Sequence, residues 1–333
     1  ASDFARSARP PPAKGMAVRH AVDRFGNFRK VPIPKEWARR ISHRCFVPAP
    51  HRAYSRPAWL AECPSCDGKR VAVQVMPTAY APTQSEIQVH RRLRLSGNVL
   101  TYLGSREVEG TTFLLLEAAE RDLEDHISSC RASGAWPLAL SESLPLLIDM
   151  LRGVRDLDSA GIAHGGIRKE SILMKHGRPL IAGLQNAAIV NDGGGRHAPR
   201  TSREAAIHDT PAALSSNLWQ VGRLFGVLSL GRDPVQRASV QHTPSAPPAE
   251  DARPESGGAV GPSASLYEAL SDLGDDEDVA GLLRGMLGAS SGRRWVAEEA
   301  LTEAERIARR RGIPVPPERL ARHPAMAWDS DWD

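Results

Sequence analysis

The hydrophobic periodicity of this 333-residue chain changes once, close to Glu117, and that change limits the folds open to it. Before it, short apolar and β-branched runs at residues 58–61, 71–75, 99–103 and 111–116 carry the signature of strands, with one helical stretch at 86–95 between the second and third. Pro64–Gly68 and Glu107-Val108-Glu109-Gly110 read as the turns between paired strands. After it, apolar residues recur at helical spacing over residues 123–130, 144–160, 218–230, 279–287 and 296–310. Two short strands, 171–174 and 179–181, interrupt the helices around the turn His176-Gly177. A β-β-α-β-β block followed by helices is neither an all-β sandwich nor an alternating α/β sheet. The pattern predicts an α+β protein with a small β-rich lobe and a larger helical lobe, and the length is enough for each to bury a core.

Charge divides the chain differently. Residues 1–52 hold twelve Lys and Arg against three Asp and Glu, whereas the remaining 281 residues carry five more acids than bases. A basic arm on an acidic body can bind nucleic acid, anionic lipid or an acidic partner, or it can pack on its own body as a solvated extension. With only 5% aromatic residues, a base-stacking sheet is not expected as the main activity, and no nucleic-acid partner is predicted. Residues 1–15, with Pro10-Pro11-Pro12, read as a flexible leader. From Pro34 onward, Trp37, Ile41 and Cys45 recur at i, i+4 and i+8 and predict a helix, either packed on the next lobe or lying on a membrane surface. No apolar run approaches the roughly 18 residues of a membrane span. The chain opens Ala1-Ser2-Asp3 with no basic-then-apolar segment, which predicts a cytosolic protein or a processed leader.

Four cysteines, Cys45, Cys63, Cys66 and Cys130, permit two disulfides in an oxidising compartment, in any of three pairings. Cys63-Pro-Ser-Cys66 has CxxC spacing, but no second ligand pair follows, so no metal is expected. The pair reads as a hairpin tip. The end of the chain, Trp328-Asp329-Ser330-Asp331-Trp332-Asp333, places two tryptophans four apart, either as a partner anchor or as a cap on the domain itself.

Seven segments, in order, resemble the protein-kinase family over residues 53–308. Val71-Ala72-Val73-Gln74 resembles the kinase V-A-I-K strand, and Glu86 with Val89 and Leu93 resembles helix C. Phe113-Leu114-Leu115-Leu116-Glu117-Ala118-Ala119 followed by Asp122-Leu123 is similar to the hinge. Ile162-Ala163-His164-Gly165-Gly166-Ile167-Arg168-Lys169-Glu170-Ser171-Ile172-Leu173 resembles the catalytic loop H-R-D-L-K-P-E-N-I-L. Ile181-Ala182-Gly183-Leu184 stands where D-F-G belongs, and Asn217-Leu218-Trp219-Gln220-Val221-Gly222 resembles D-x-W-x-x-G. Arg294, seven residues before Leu301, resembles the R-x₆-L near the kinase C-terminus. The resemblance implies a bilobal fold, with a basic extension and its helix over residues 1–46, an N-lobe over 47–117, a C-lobe over 118–311 with a Pro/Ser/Ala/Gly-rich insert at 236–265, and a tail over 312–333.

Phosphoryl transfer is mostly positioning and charge neutralisation, so each missing charge matters. By the resemblance, the strand lysine that grips the phosphates is Gln74, the arginine before the base is Gly165 and the catalytic aspartate is Gly166. The asparagine for the second magnesium is Ser171, and the D-F-G aspartate is Ala182, with no Asp from residue 172 through 190. The phosphate loop would fall near residues 49–56, a stretch with Pro50 and no glycine. Lys69 or Arg70, near the strand, is a candidate to reach a phosphate, and Asp192 is a candidate metal ligand. The expectation is a pseudokinase with no catalytic residue, no metal and no nucleotide cofactor, acting as a monomeric protein-binding scaffold or allosteric partner. The alternatives are a noncanonical nucleotide-using transferase and a membrane-surface role for the basic arm.

The Trp219-Gln220 pair, the Arg-rich N-terminal extension and Thr210-Pro211 ahead of the helix are similar to the rhoptry-type secreted kinases and pseudokinases of apicomplexan parasites. That narrower resemblance implies secretion to the parasitophorous vacuole or cyst wall, and an oxidising route for the cysteines.

Overall fold

The computed structural model describes residues 17–22, 28–33, 42–48, 58–63, 69–78, 81–108, 110–190, 210–235, 276–288 and 295–319. Their architecture is α+β, with small antiparallel sheets and, among the described residues, six helices. The largest sheet has five strands: β3 (Ser42–Pro48), β4 (Ala58–Cys63), β5 (Lys69–Pro77), β6 (Tyr102–Val108) and β7 (Thr111–Glu117). They lie in the order β3-β4-β5-β7-β6, every neighbouring pair antiparallel. Helix α1 (Ala81–Arg92) connects β5 to β6. A separate hairpin of β1 (Ala17–Val22) and β2 (Phe28–Ile33) precedes the sheet.

Strand β7 lies inside the sheet between β5 and β6, and Phe113, Leu114, Leu115 and Leu116 are all buried, so both of its faces are covered. This explains a continuous apolar run where a half-exposed strand would alternate. Register puts Ala72 opposite Leu116, Gln74 opposite Leu114 and Met76 opposite Thr112. Ala72, Met76, Leu114 and Leu116 pack with Ile87 of α1, with Leu100 and Tyr102, and with Leu173, Leu180 and Ala182 from beyond the sheet. One apolar cluster therefore joins the sheet to the rest of the chain.

The second half begins at β8 (Arg121–Asp122) and α2 (Leu123–Ala132), where the Asp122 carboxylate caps the helix by accepting from Asp125 N–H at 2.8 Å. Helix α3 (Leu140–Ser159) packs against α4 (Thr210–Leu230) and α6 (Ala297–Arg310), and α5 (Glu277–Leu287) packs on α4. Between α3 and α4 the chain forms β9 (Ile162–Ala163), the hairpin β10 (Ile172–Lys175) and β11 (Arg178–Ile181), and β12 (Ala188–Ile189), which pairs back on β9. Leu144, Leu147, Leu151, Val154, Phe225 and Leu283 centre this half's core. No helix among the described residues is long and apolar enough to cross a membrane.

Three sequence expectations are corrected. Ile41 and Cys45 were expected on a helix from Pro34, but residues 42–48 form β3, so that helix does not run through Cys45 and the boundary at 46/47 cuts a strand. The i, i+4, i+8 pattern yields to antiparallel pairing with β4, in which Ser42 faces Glu62, Val47 faces Leu60 and Pro48 faces Trp59, with a register shift between Ser42 and Val47. The strand placed at 99–103 lies at 102–108 instead, because Val99 makes a parallel bridge to Ile181 of the helical half. Cys130 is a free thiol, half-buried on α2 with His126 Nε2 at 3.9 Å, so it takes part in no disulfide. The side chains of Cys45, Cys63 and Cys66 lie outside the described residues, as do the leader at 1–15, the insert at 236–265, and Trp328 and Trp332.

Candidate functional site

The loop after β9 carries the residues singled out from the sequence, and its geometry follows from four polar anchors. The His164 backbone N–H donates to Asn217 Oδ1 at 2.9 Å. Asn217, wholly buried on α4, turns its amide nitrogen the other way, donating to Ile162 O at 2.9 Å and to Asp158 Oδ1 at 3.0 Å. One side chain thus ties α4 to the end of α3, to β9 and to the loop. Gln220, one turn further along α4, accepts from the Ile167 N–H through Oε1. The fourth anchor is the imidazole of His164, whose Nε2 lies 2.9 Å from Ala182 O. A carbonyl only accepts, so Nε2 carries the proton. Burial lowers the pKa of His164 to about 4, and the Arg168 charge adds in the same direction, so the ring is neutral at physiological pH.

These anchors leave little for chemistry. Gly165 has φ +74°, and a Cβ there would sit 2.5 Å from Asn186 O, so an arginine cannot occupy it without moving backbone. Gly166 differs: an added Cβ meets nothing within 4 Å. Space for a side chain exists at Gly166, and this chain places none there. Ser171, 4% exposed, closes its own turn: Oγ accepts from Arg168 N–H and donates to Arg168 O, both at 2.8 Å. The Ala182 N–H donates to Ser171 O at 2.8 Å while its carbonyl takes His164, and its methyl is buried in the cluster that joins the two halves. Gln74 is 3% exposed on β5, on the face that Ala72 and Met76 share with the same cluster, and Glu86 is buried on α1.

The structure therefore brings Gly165, Gly166, Ser171 and Ala182 into one neighbourhood, and Gln74 to the sheet face that packs on it. The ionised side chains of the loop pair outward, Lys169 with Glu124 of α2 and Arg168 with Glu170 at 3.6 Å. Among the described residues no three His, Cys, Asp or Glu side chains are grouped so as to hold a metal ion. The side chains of Lys69 and Arg70, and Asp192, are not described, nor are residues 49–57, which connect β3 to β4.

Sequence reasoning overlooked Asp158. It lies three residues before Gly161 with no motif around it, and only the fold sets its carboxylate against Asn217. Burial pushes its pKa up to about 6, against the lowering effect of the Asn217 hydrogen bond. Asn217 and Gln220 were noticed as part of a motif, but their role as clamps on loop amides needs the tertiary structure. No family model matches the chain, and no curated protein matches it.

Proposed function

We propose that the chain is a catalytically inactive member of the protein-kinase fold that works by binding other proteins, as a scaffold or an allosteric partner, on a secretory route. The observation that carries this reading is the loop from His164 to Ser171 with its neighbour Ala182. Its polar atoms hold backbone in place, and the positions that phosphoryl transfer would fill with a base and two metal ligands are Gly166, Ser171 and Ala182. Losing one transition-state charge stabiliser costs on the order of 10²–10³ in rate. Losing the base, the metal ligands and the strand lysine together removes from those positions the charges that would steady a triphosphate. Further support comes from Ala58, Ala72, Leu116, Ala119, Leu173 and Ala182, which bury against one another across the junction of the two halves.

A thermal-shift titration with ATP and magnesium tests the reading. A ligand present at about 100 times its dissociation constant stabilises by about 2.7 kcal/mol. The expected result is an unchanged midpoint at millimolar ATP and magnesium, and no label transferred to a generic acceptor protein. A magnesium-dependent rise in the midpoint, or label transfer, would overturn it.

A further inference from the structure

Past the last helix the chain does not leave the molecule. Gly312 ends α6, the Ile313 N–H caps it by donating to Ala308 O at 2.8 Å, and residues 313–319 then run past α3 and the β10–β11 hairpin to Gly97. Three prolines in this segment, Pro314, Pro316 and Pro317, fix φ and limit the entropy lost on ordering it. Ile313 and Val315 pack on the helical core.

Arginines hold the backbone of the segment. Arg152 Nη1 donates to Pro316 O at 2.7 Å and Arg178 Nη2 to Pro317 O at 2.9 Å. Both arginines are themselves set by carboxylates. Asp149, 1% exposed, takes Arg178 through both oxygens at 2.5 and 2.6 Å, and Glu305 takes Arg152 at 2.9 Å. Glu318 pairs with Arg155 at 2.9 Å. Arg319 completes the series, its guanidinium donating to Pro179 O and Lys175 O, both at 3.3 Å.

The segment ends against Gly97, where an added Cβ would lie 2.2 Å from Arg319 O. Gly97 belongs to the junction between α1 and β6, which is bonded to the helical half at several points. Ser96 Oγ donates to Asp156, Leu100 N–H to Ile181 O at 2.8 Å, and Ile181 N–H to Asn98 O at 2.9 Å. Through Arg319 against Gly97, the strap of residues 313–319 meets the junction where these bonds cross from one half to the other.

We propose that residues 313–319 are a latch that seats the α1–β6 junction on the helical half, so that releasing the strap loosens the junction without unfolding the helices. The inference is independent of the nucleotide question, since none of these residues lies in the His164–Ser171 loop.

The full chain and two variants test it. Gly97→Val removes the space that Arg319 needs, and Glu318→Gln removes the exposed ion pair with Arg155 without creating a new trypsin site. Trypsin cleavage after Arg319 reports the strap, and amide exchange at Asn98, Val99, Leu100 and Ile181 reports the junction. Displacing Arg319 forfeits charge-assisted hydrogen bonds, so both readouts should rise about ten- to hundredfold in Gly97→Val. Removing an exposed ion pair is milder, and in Glu318→Gln both should rise about two- to fivefold. Exchange at Ala300 and Ile307, on α6, should stay as in the wild type. Junction exchange that is unchanged when cleavage accelerates would reduce the strap to a passenger and overturn the latch. So would cleavage in the wild type as fast as in the variants, or exchange that rises equally on α6.

Discussion

Asn217 is the side chain on which the loop most depends, and replacing it by aspartate, the residue of the kinase motif, is the sharpest test of the site geometry. Asn217→Asp keeps an acceptor for the His164 N–H but removes both donors, to Ile162 O and to Asp158 Oδ1. Two lost hydrogen bonds cost about 1–1.5 kcal/mol each. The new carboxylate also faces Asp158 at the distance where the amide now stands, 3.0 Å, in a site that already raises the Asp158 pKa to about 6. Two carboxylates so close share one proton, and their titration belongs to the pair. At pH 7.5 the total loss is about 3–5 kcal/mol, or about 6–20 °C in the unfolding midpoint at 2–4 °C per kcal/mol. Below pH 5 the shared proton supplies a new O–H donor between them and the deficit shrinks. The sign follows from linkage: the folded variant binds a proton that the unfolded chain releases, so its stability falls as pH rises through the raised value. Thermal or urea unfolding at pH 5 and 7.5 reads both effects. The double variant Asp158→Asn with Asn217→Asp restores a donor facing an acceptor and should recover about half the loss. Equal stability of wild type and Asn217→Asp at pH 7.5, or no recovery in the double variant, would refute the clamp.

Three further outcomes are expected. Asp158→Asn alone removes a buried carboxylate whose pKa is raised to about 6, so at pH 7.5 it should stabilise by about 1–2 kcal/mol, discounted for partial solvent exposure, and abolish the loss of stability as pH climbs from about 4 to 6; urea midpoints across that range check it. Gly165→Ala should destabilise by about 2–4 kcal/mol through its positive φ and the contact with Asn186 O, whereas Gly166→Ala, with open space, should stay within about 1 kcal/mol, as paired unfolding curves would reveal. On the proposed pseudokinase reading, introducing an aspartate alone, in Gly166→Asp, should leave folding intact and still transfer no phosphoryl label, since the positions that reading assigns to metal ligands remain Ser171 and Ala182; measurable transfer by that single variant would contradict the charge argument.

Local pattern carried much of the architecture. The switch of period near Glu117, the apolar run at 113–116 and the amphipathic helices that became α3, α5 and α6 are set by side chains close in sequence, and so they could be read without partners. The segments around His164, Ala182 and Asn217 could likewise be picked out by residue type and spacing. What local pattern could not settle was anything decided by a distant strand or charge. Cys45 stands at helical spacing from Trp37 and Ile41 but lies in β3, because pairing with the distant strand β4 outweighs a short apolar stripe. Asp158 reads as a surface acid on the end of a helix until α4 brings Asn217 against it. The arginines at 152, 155 and 178 look like solvated charges until a proline-rich segment more than 130 residues away supplies carbonyls for two of them and a carboxylate for the third. Chemistry-bearing positions were thus determined by the order of residues along the chain, whereas the partners that fix each one's protonation, room and role were decided only by packing, since burial and hydrogen bonding are properties of neighbours in space.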